Sequence, residues 1–345
     1  MYKSFIRPFL FLLQPETVHH IVVIVLKIIL RIPGFSWFIK KNLCVNYPQL
    51  KRNIFGLEFT NPVGLAAGFD KNADFYNELS NFGFSFIEIG TVTPKAQPGN
   101  PKPRSFRLKK DNALINRMGF NNKGVNHAVS MLKKKKHQLI IGGNIGKNTS
   151  TPNENSANDY LFCFNNLYDF VDYIVINISC PNIANLRNLQ EGEHLTQILE
   201  ALTNERKSRL CYKPILLKVS PDLSNEQLDE TINSALIAGI DGFVATNTST
   251  TRNNLITKKQ IVDQIGNGGL SGAPIKNRST EIIKYIFDKT GGTKPIIGVG
   301  GILSPEDAIE KLDAGASLVQ IYTGFIYSGP TIVKRINKAI LKKSS

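Results

Sequence analysis

Cysteine is scarce in this chain of 345 residues, and the four cysteines stand far apart in the sequence. No two of them form a C-x-x-C pair, so neither a zinc site nor an iron–sulfur cluster is indicated, and we expect no metal centre. Dispersed free thiols are typical of a reducing compartment, which favours a protein that faces the cytosol. The cysteines are Cys44, Cys163, Cys180 and Cys211.

Acidic residues are also few, since 27 Asp and Glu stand against 42 Lys and Arg, for a formal net charge of +15. This balance favours attraction to polyanions and leaves open nucleic acid, acidic lipid headgroups or a small anionic substrate. The basic residues are scattered, and no appended RNA-binding domain is visible. We therefore expect no nucleic-acid partner.

Long apolar runs are missing as well, because none reaches the roughly 20 residues that a membrane-spanning helix needs. Residues 1 to about 40 nevertheless contain two shorter apolar runs, separated by the polar stretch 14–20. They lack the small-residue cleavage site of a signal peptide. We expect residues 1–42 to form short helices that lie on the cytoplasmic face of a membrane, with basic side chains toward anionic headgroups. The structural alternative is a helical pair packed on the main domain.

A dinucleotide-binding G-x-G-x-x-G motif after an early strand is absent, which disfavours a Rossmann domain. Instead, eight short apolar runs alternate with helical patterns and predict one α/β domain, a (β/α)8 barrel, over residues 43–345. Polar residues close these runs, as expected at the face where barrel enzymes place their sites. The runs are 63–66, 84–89, 139–141, 173–176, 215–217, 242–245, 296–299 and 318–321.

The last two predicted strands end in residues suited to binding phosphate. Segment 298–302 is rich in glycine, and segment 322–325 adds a hydroxyl. Barrels commonly bind phosphate at this place, so a mononucleotide such as FMN is expected. Two long excursions, 91–126 and 249–280, should cover the site. The first combines an arginine with several amides, which suits a planar carboxylate with ring carbonyls.

Seven ordered segments resemble the dihydroorotate dehydrogenase family, and the resemblance covers essentially the whole chain. The N-terminal extension is similar to that of the membrane-associated, quinone-reducing branch of the family. The resemblance implies oxidation of (S)-dihydroorotate to orotate through FMN, transfer of electrons to a membrane quinone, and a place in pyrimidine biosynthesis. The segments are 64–71, 88–94, 116–120, 177–182, 245–248, 269–272 and 297–302.

Carried over by position, the resemblance also implies two sets of binding residues. FMN contacts are implied for Ala67, Gly68, Phe69, Asp70, Lys71, Thr91, Asn144, Asn177, Lys218, Thr246, Gly272, Gly301, Tyr322 and Thr323. Contacts with dihydroorotate or orotate are implied for Lys71, Asn116, Arg117, Met118, Gly119, Phe120, Asn177, Asn182, Asn247 and Thr248. Amides and hydroxyls satisfy a pyrimidine's donors and acceptors, while Lys71 and Arg117 offset anionic charge. Lys218 could stabilise negative charge on a reduced flavin, or could be a structural lysine paired with Glu88.

The residue that abstracts the substrate proton falls at Cys180 in this resemblance. The quinone-reducing branch usually has serine there, and cysteine is typical of the soluble branches. Cys180 would act on the pyrimidine side, so it says little about the electron acceptor. The N-terminal segment says more, and it favours the quinone.

Three other functions stay open from the sequence. A soluble-type dihydroorotate dehydrogenase would use fumarate or NAD. A tRNA dihydrouridine synthase is another FMN barrel, and the basic charge would suit it. A catalytically inactive, membrane-bound scaffold belongs to a different class. No obligatory protein partner is indicated.

Overall fold

The computed structural model describes residues 2–136, 139–179 and 192–344. Its strands are β1 (Arg52–Ile54), β2 (Leu57–Phe59), β3 (Val63–Leu65), β4 (Phe86–Val92), β5 (Ser105–Leu108), β6 (Ala113–Asn116), β7 (Ile140–Ile145), β8 (Tyr173–Asn177), β9 (Ile215–Val219), β10 (Gly242–Ala245), β11 (Gly269–Gly272), β12 (Ile296–Val299) and β13 (Leu318–Ile321). Its helices are α1 (Arg7–Leu10), α2 (Pro15–Ile29), α3 (Phe35–Leu43), α4 (Tyr76–Leu79), α5 (Val125–Leu132), α6 (Ser156–Leu167), α7 (Gly192–Lys207), α8 (Asn225–Ile237), α9 (Lys259–Ile265), α10 (Lys276–Lys289), α11 (Pro305–Asp313), α12 (Thr323–Ser328) and α13 (Ile332–Ser344).

Eight of these strands close into a parallel barrel in the order β3-β4-β7-β8-β9-β10-β12-β13. Successive side chains of a strand point to opposite faces, so each strand serves two cores. On β8, Tyr173 and Val175 belong to the cluster inside the barrel, whereas Ile174 and Ile176 pack in the cluster under the helices. The predicted (β/α)8 barrel is confirmed.

The amino-terminal end of the barrel is closed by the antiparallel hairpin β1–β2. Phe59 at the end of β2 is fully buried and meets Phe86 of β4 edge-on, with ring centroids 5.2 Å apart. This aromatic pair fills the barrel interior at its amino-terminal end. The hairpin does not cover the opposite end of the barrel, where the carboxyl ends of the strands lie.

Two details of the barrel differ from the sequence expectation. Asn144, Asn177 and Lys218 were expected just past strand ends but lie inside β7, β8 and β9, because these strands run further than their apolar stretches. The two excursions join in a three-stranded antiparallel sheet, β11-β6-β5, which the sequence did not predict. Its pairing brings together residues that are about 150 positions apart, a contact that local patterns cannot reveal.

The N-terminal helices pack on the barrel with one face and expose apolar side chains on the other. Val18 of α2 is buried, and the Tyr2 hydroxyl donates to the Ile326 carbonyl at 2.6 Å. The exposed apolar side chains are Phe5, Ile6, Phe9, Leu12, Leu13, Ile21, Ile24, Val25, Ile28, Ile32, Trp37 and Phe38. Within the described ranges no single helix is long and apolar enough to cross a membrane. One pair, Tyr2–Leu10 with Pro15–Ile29, meets the length and composition criteria jointly but is bent by 117°.

Candidate active site

A cavity of about 710 Å³ lies at the carboxyl ends of the barrel strands. One part of its wall is polar and comes from the strand ends and the loops that follow them. The other part is apolar and comes from α1, α2 and the residues that precede α1. A pocket with few polar groups among apolar walls is the usual form of a small-molecule site.

A hydrogen-bonded network forms the floor of the polar part. The carboxylate of Glu88 is fully buried, and each of its oxygens accepts an amide N–H at 2.7 Å, from Asn144 and from Gln320. The Lys218 ammonium lies 3.7 Å from the same carboxylate and also lines the cavity. Lys218 is therefore paired with Glu88, as the structural alternative held, and faces the site as well.

A chain of side-chain amides continues from this floor into the cavity. The amide of Asn177 donates to the Thr91 hydroxyl at 2.8 Å and to the Asn144 oxygen at 3.2 Å. The amide of Asn247 in turn donates to the Asn177 oxygen at 3.1 Å. Each bond fixes which end of an amide faces the cavity, so the donors and acceptors are preorganised.

The far end of the polar part is a cradle of backbone with few side chains. Gly301 has φ +71°, and an added Cβ would lie 2.4 Å from the Lys276 Cα. The hydroxyls of Ser271 and Thr323 stand 2.9 Å apart beside it. Bare amides and hydroxyls suit an anionic phosphate. The residues present therefore fit the phosphate of a mononucleotide.

The loop after β6 forms one side of the polar part. Asn116, Met118, Gly119 and Phe120 line the cavity there. The Lys71 ammonium also lines it and donates to the Asn121 side chain at 2.8 Å. This side of the cavity thus offers a cation and amides together, the set that binds an anionic heterocycle.

Two side chains of the apolar part, those of Arg107 and His19, were not singled out from the sequence. Arg107 lies over the Phe11 ring, 4.5 Å from its centroid, and donates to the Leu13 carbonyl. His19 meets Phe69 and Phe75 edge-on, with centroids 5.2 and 5.5 Å apart. Burial, followed by the nearby Lys71 charge, lowers the pKa of His19 to about 4. The imidazole is therefore neutral near pH 7.

Phe69 stands between the two parts of the cavity. Its ring touches His19 on the apolar side and Tyr322 on the polar side, where the centroids are 5.4 Å apart. Burial raises the pKa of Tyr322 to about 12, so this phenol stays neutral. A single aromatic side chain thus connects the strand-end site with the helix-lined site.

Among the described residues that the resemblance singles out, all but two line this one cavity. Asn144 lies beneath the wall, where its amide supports Thr91, Asn177 and Glu88. Cys180 and Asn182 fall outside the described residues. The predicted residues that line the cavity are Ala67, Gly68, Phe69, Asp70, Lys71, Thr91, Asn116, Met118, Gly119, Phe120, Asn177, Lys218, Thr246, Asn247, Thr248, Gly272, Gly301, Tyr322 and Thr323.

Arg117 is the second exception. Its guanidinium donates to the Ile265 carbonyl and lies over the Phe106 ring, 4.7 Å from the centroid. The side chain therefore points away from the cavity, because alternate residues of an extended segment face opposite sides. The expectation that Arg117 offsets the charge of a bound anion has no support from this placement.

The Asp70 carboxylate is hydrogen-bonded to the protein's own backbone. It accepts the backbone N–H groups of Asp74 and Phe75, at 2.8 and 2.9 Å. Burial raises the pKa of Asp70 to about 7 despite these bonds. Asp70 fixes the turn that carries Phe69 and Lys71. In the described part of the chain, no group of three His, Cys, Asp or Glu could hold a metal ion.

The comparison with known families identifies the family. A family model described as dihydroorotate dehydrogenase matches residues 49–343. The chain belongs to the dihydroorotate dehydrogenase family. The three-stranded sheet and the glycine cradle described above lie within the matched range.

Relatives of this family resemble the chain from end to end. A dihydroorotate dehydrogenase (quinone) of Christiangramia forsetii is 53% identical over 343 residues, covering 99% of both chains. That of Cellvibrio japonicus is 45% identical, covering 96% of this chain and 95% of its own. A crystal structure of DHODH in complex with ferulenol from Eimeria tenella is 36% identical with a TM-score of 0.83, covering 95% of this chain and 91% of that one.

Proposed function

We propose that this protein oxidises (S)-dihydroorotate to orotate through FMN and passes the electrons to a membrane quinone, as a step of pyrimidine biosynthesis. The observation that carries the proposal is the single cavity with a polar part at the strand ends and an apolar part under the N-terminal helices. A polar and an apolar substrate would therefore both reach a cofactor held in this cavity.

FMN, when bound, supplies the acceptor for the substrate's hydride and the donor for the quinone. Its phosphate would be held by the backbone at Gly272 and Gly301, where an added Cβ would collide with neighbouring backbone, and by Thr323. Its ring system would lie above the floor network, with Lys218 at hand to offset negative charge. Thr91 and Asn177 would hold it by fixed hydroxyl and amide groups.

Dihydroorotate would bind against the loop after β6. The amides of Asn116 and Asn247 supply donors and acceptors for the pyrimidine carbonyls and N–H groups, and Lys71 offsets the carboxylate. Cys180 would remove the ring proton and Asn182 would contact the substrate. Both roles rest on the sequence resemblance.

The quinone would enter between α1 and α2. Apolar side chains such as Leu10 and Leu26 suit its ring and tail, while Arg107 can donate a hydrogen bond to a quinone carbonyl. The exposed apolar faces of the N-terminal helices would rest on the cytoplasmic face of the membrane, where the quinone is dissolved. The protein would thus be a peripheral membrane protein.

The test is the choice of electron acceptor by the full-length, flavin-containing protein. Under anaerobic conditions dihydroorotate should bleach the flavin, and ubiquinone or menaquinone should restore its absorbance within catalytic turnover. Bleaching followed by recovery only with fumarate or NAD would replace the quinone with a soluble acceptor. A failure of dihydroorotate to bleach the flavin would overturn the proposal as a whole, and a tRNA-dependent oxidation would then be examined.

The role of Cys180 has its own test. A thiol has a reference pKa of about 8.5, far nearer neutrality than a serine hydroxyl. Flavin reduction should therefore rise over a lower pH range in the natural protein than in Cys180→Ser. Identical pH profiles for the two proteins would remove Cys180 from the role of base.

A further inference from the structure

Helix α2 is joined to the turn before β5 by one largely buried ion pair. Glu16, in the first turn of α2, accepts two hydrogen bonds from the Arg104 guanidinium, at 2.7 Å from Nη2 and 3.2 Å from Nε. The Arg104 side chain is only 8% exposed and that of Glu16 only 17%. A bidentate pair of this kind defines both distance and orientation.

The remaining guanidinium nitrogen of Arg104 organises the turn before β5. Its Nη1 donates to the carbonyls of Pro98 and Asn100, at 2.6 and 3.0 Å. The guanidinium therefore holds α2 on one edge and residues 98–100 on the other. A shift of α2 would therefore act on this turn, because arginine's donors form a rigid fork.

That turn is the backing of the loop predicted to bind dihydroorotate. The Asn100 N–H donates to the Met118 carbonyl at 3.1 Å, and the Arg117 N–H donates to the Arg104 carbonyl at 2.9 Å. The contact is close, since an added Cβ on Gly119 would lie 2.7 Å from the Asn100 side-chain oxygen. Met118 and Gly119 line the cavity on the other side of the loop.

We propose that Glu16 and Arg104 are positioning residues that couple the seating of helix α2 to the affinity of the polar site for dihydroorotate and orotate. The inference rests on the proposed function and adds regulation to it. A membrane surface or quinone that presses on the N-terminal segment would, through this pair, alter binding of the pyrimidine. Coupling of two sites is reciprocal, so the pyrimidine would also steady α2.

The first test is orotate binding by the full-length flavoprotein, which is measured through the change in flavin absorbance. Glu16→Gln keeps the side chain's shape and should raise the orotate Kd on the order of tenfold, with a parallel rise in the dihydroorotate KM and a smaller change in kcat. The exchanged pair, Glu16→Arg with Arg104→Glu, should recover part of the loss.

Two control variants separate coupling from general destabilisation. Lys102→Gln removes an exposed lysine whose ammonium lies 3.8 Å from the same Glu16 carboxylate. Glu58→Gln removes an exposed ion pair with Lys51 in the hairpin that closes the other end of the barrel. Both should leave the orotate Kd within about twofold of the natural value. An equally unchanged Kd in a folded Glu16→Gln protein would overturn the proposal.

Hydrogen exchange of the unsubstituted protein gives a second test that does not depend on variants. Saturating orotate should slow amide exchange in residues 15–29, although none of them belongs to the loop after β6. Orotate that binds but leaves exchange in this helix unchanged would contradict the coupling. Natural protein that does not bind orotate would instead contradict the proposed function.

Discussion

The Lys218 ammonium lies 3.7 Å from the Glu88 carboxylate, and the glutamate is fully shielded from solvent inside the barrel. Each carboxylate oxygen also accepts an amide hydrogen bond, so both oxygens have a hydrogen-bond donor. A buried charge that loses its partner costs far more than an exposed one. The pair therefore stabilises the floor of the site only as long as both members are present.

Glu88→Gln should lower the free energy of unfolding by about 3 kcal/mol, because Lys218 loses its counter-charge and two amide donors then face another amide. Chemical denaturation of the variant and the natural protein measures the difference. The exposed pair of Lys51 and Glu58, 2.8 Å apart, offers the matched control. Glu58→Gln should change the free energy by less than about 1 kcal/mol. Equal effects of the two substitutions would contradict the argument from burial.

Gly301→Ala should yield a folded protein with little bound flavin, since the added methyl would lie 2.4 Å from the Lys276 Cα and displace the backbone that forms the cradle. The ratio of flavin absorbance to protein absorbance after purification is the measurement. Gly239 is the control, because its φ of +78° is equally left-handed but an added Cβ meets nothing within 4 Å. Gly239→Ala should cost about 1 kcal/mol of stability and retain its flavin. Full flavin content in Gly301→Ala would remove the cradle from phosphate binding.

The sequence predicted the barrel, and most of the residues it singled out line the cavity, although much of the wall was not predicted. Apolar runs such as 242–245 coincide with whole strands because both faces of a barrel strand are buried. Arg107 and His19 were missed because their partners, Leu13 and Phe69, lie 94 and 50 positions away. Arg117 was placed in the site by its motif, yet its guanidinium bonds to the Ile265 carbonyl, 148 positions away, a partner that no local pattern reveals.

His19 makes the protein sensitive to mild acid. Its pKa of about 4 in the folded chain lies below the ordinary value of 6.5, so the unfolded chain binds a proton more readily. Stability that is present above about pH 6.5 is therefore lost as the pH falls toward 4. Between about pH 7 and about pH 5, the stability of the natural protein relative to His19→Leu should fall by on the order of 1–2 kcal/mol.

Denaturant titrations of both proteins at the two pH values give this comparison directly. His20 is exposed and provides a control on the next position of the same helix. The stability of His20→Leu relative to the natural protein should change much less between the two pH values. If the difference in unfolding free energy between the natural protein and His19→Leu does not depend on pH, the imidazole is protonated as easily in the folded chain as in the unfolded one.

Trp37→Ser should weaken binding of the full-length protein to vesicles with anionic headgroups by roughly tenfold, because the indole is 63% exposed and free to enter the interface. Co-sedimentation with vesicles measures the partition. Ile237, which is 79% exposed at the end of α8, is an apolar control outside the N-terminal segment. Ile237→Ser should sediment like the natural protein. Equal losses for both would point to unspecific adsorption.

The bond from the Tyr2 hydroxyl to the Ile326 carbonyl spans 324 positions of the chain. A ribosome adds on the order of 5–20 residues per second, so roughly half a minute of synthesis separates the two partners. During that interval the apolar N-terminal helices have emerged while the wall on which they will rest has not yet been made. We therefore expect the apolar surface of the first segment to be covered by a chaperone or a lipid surface until the rest of the barrel has been made.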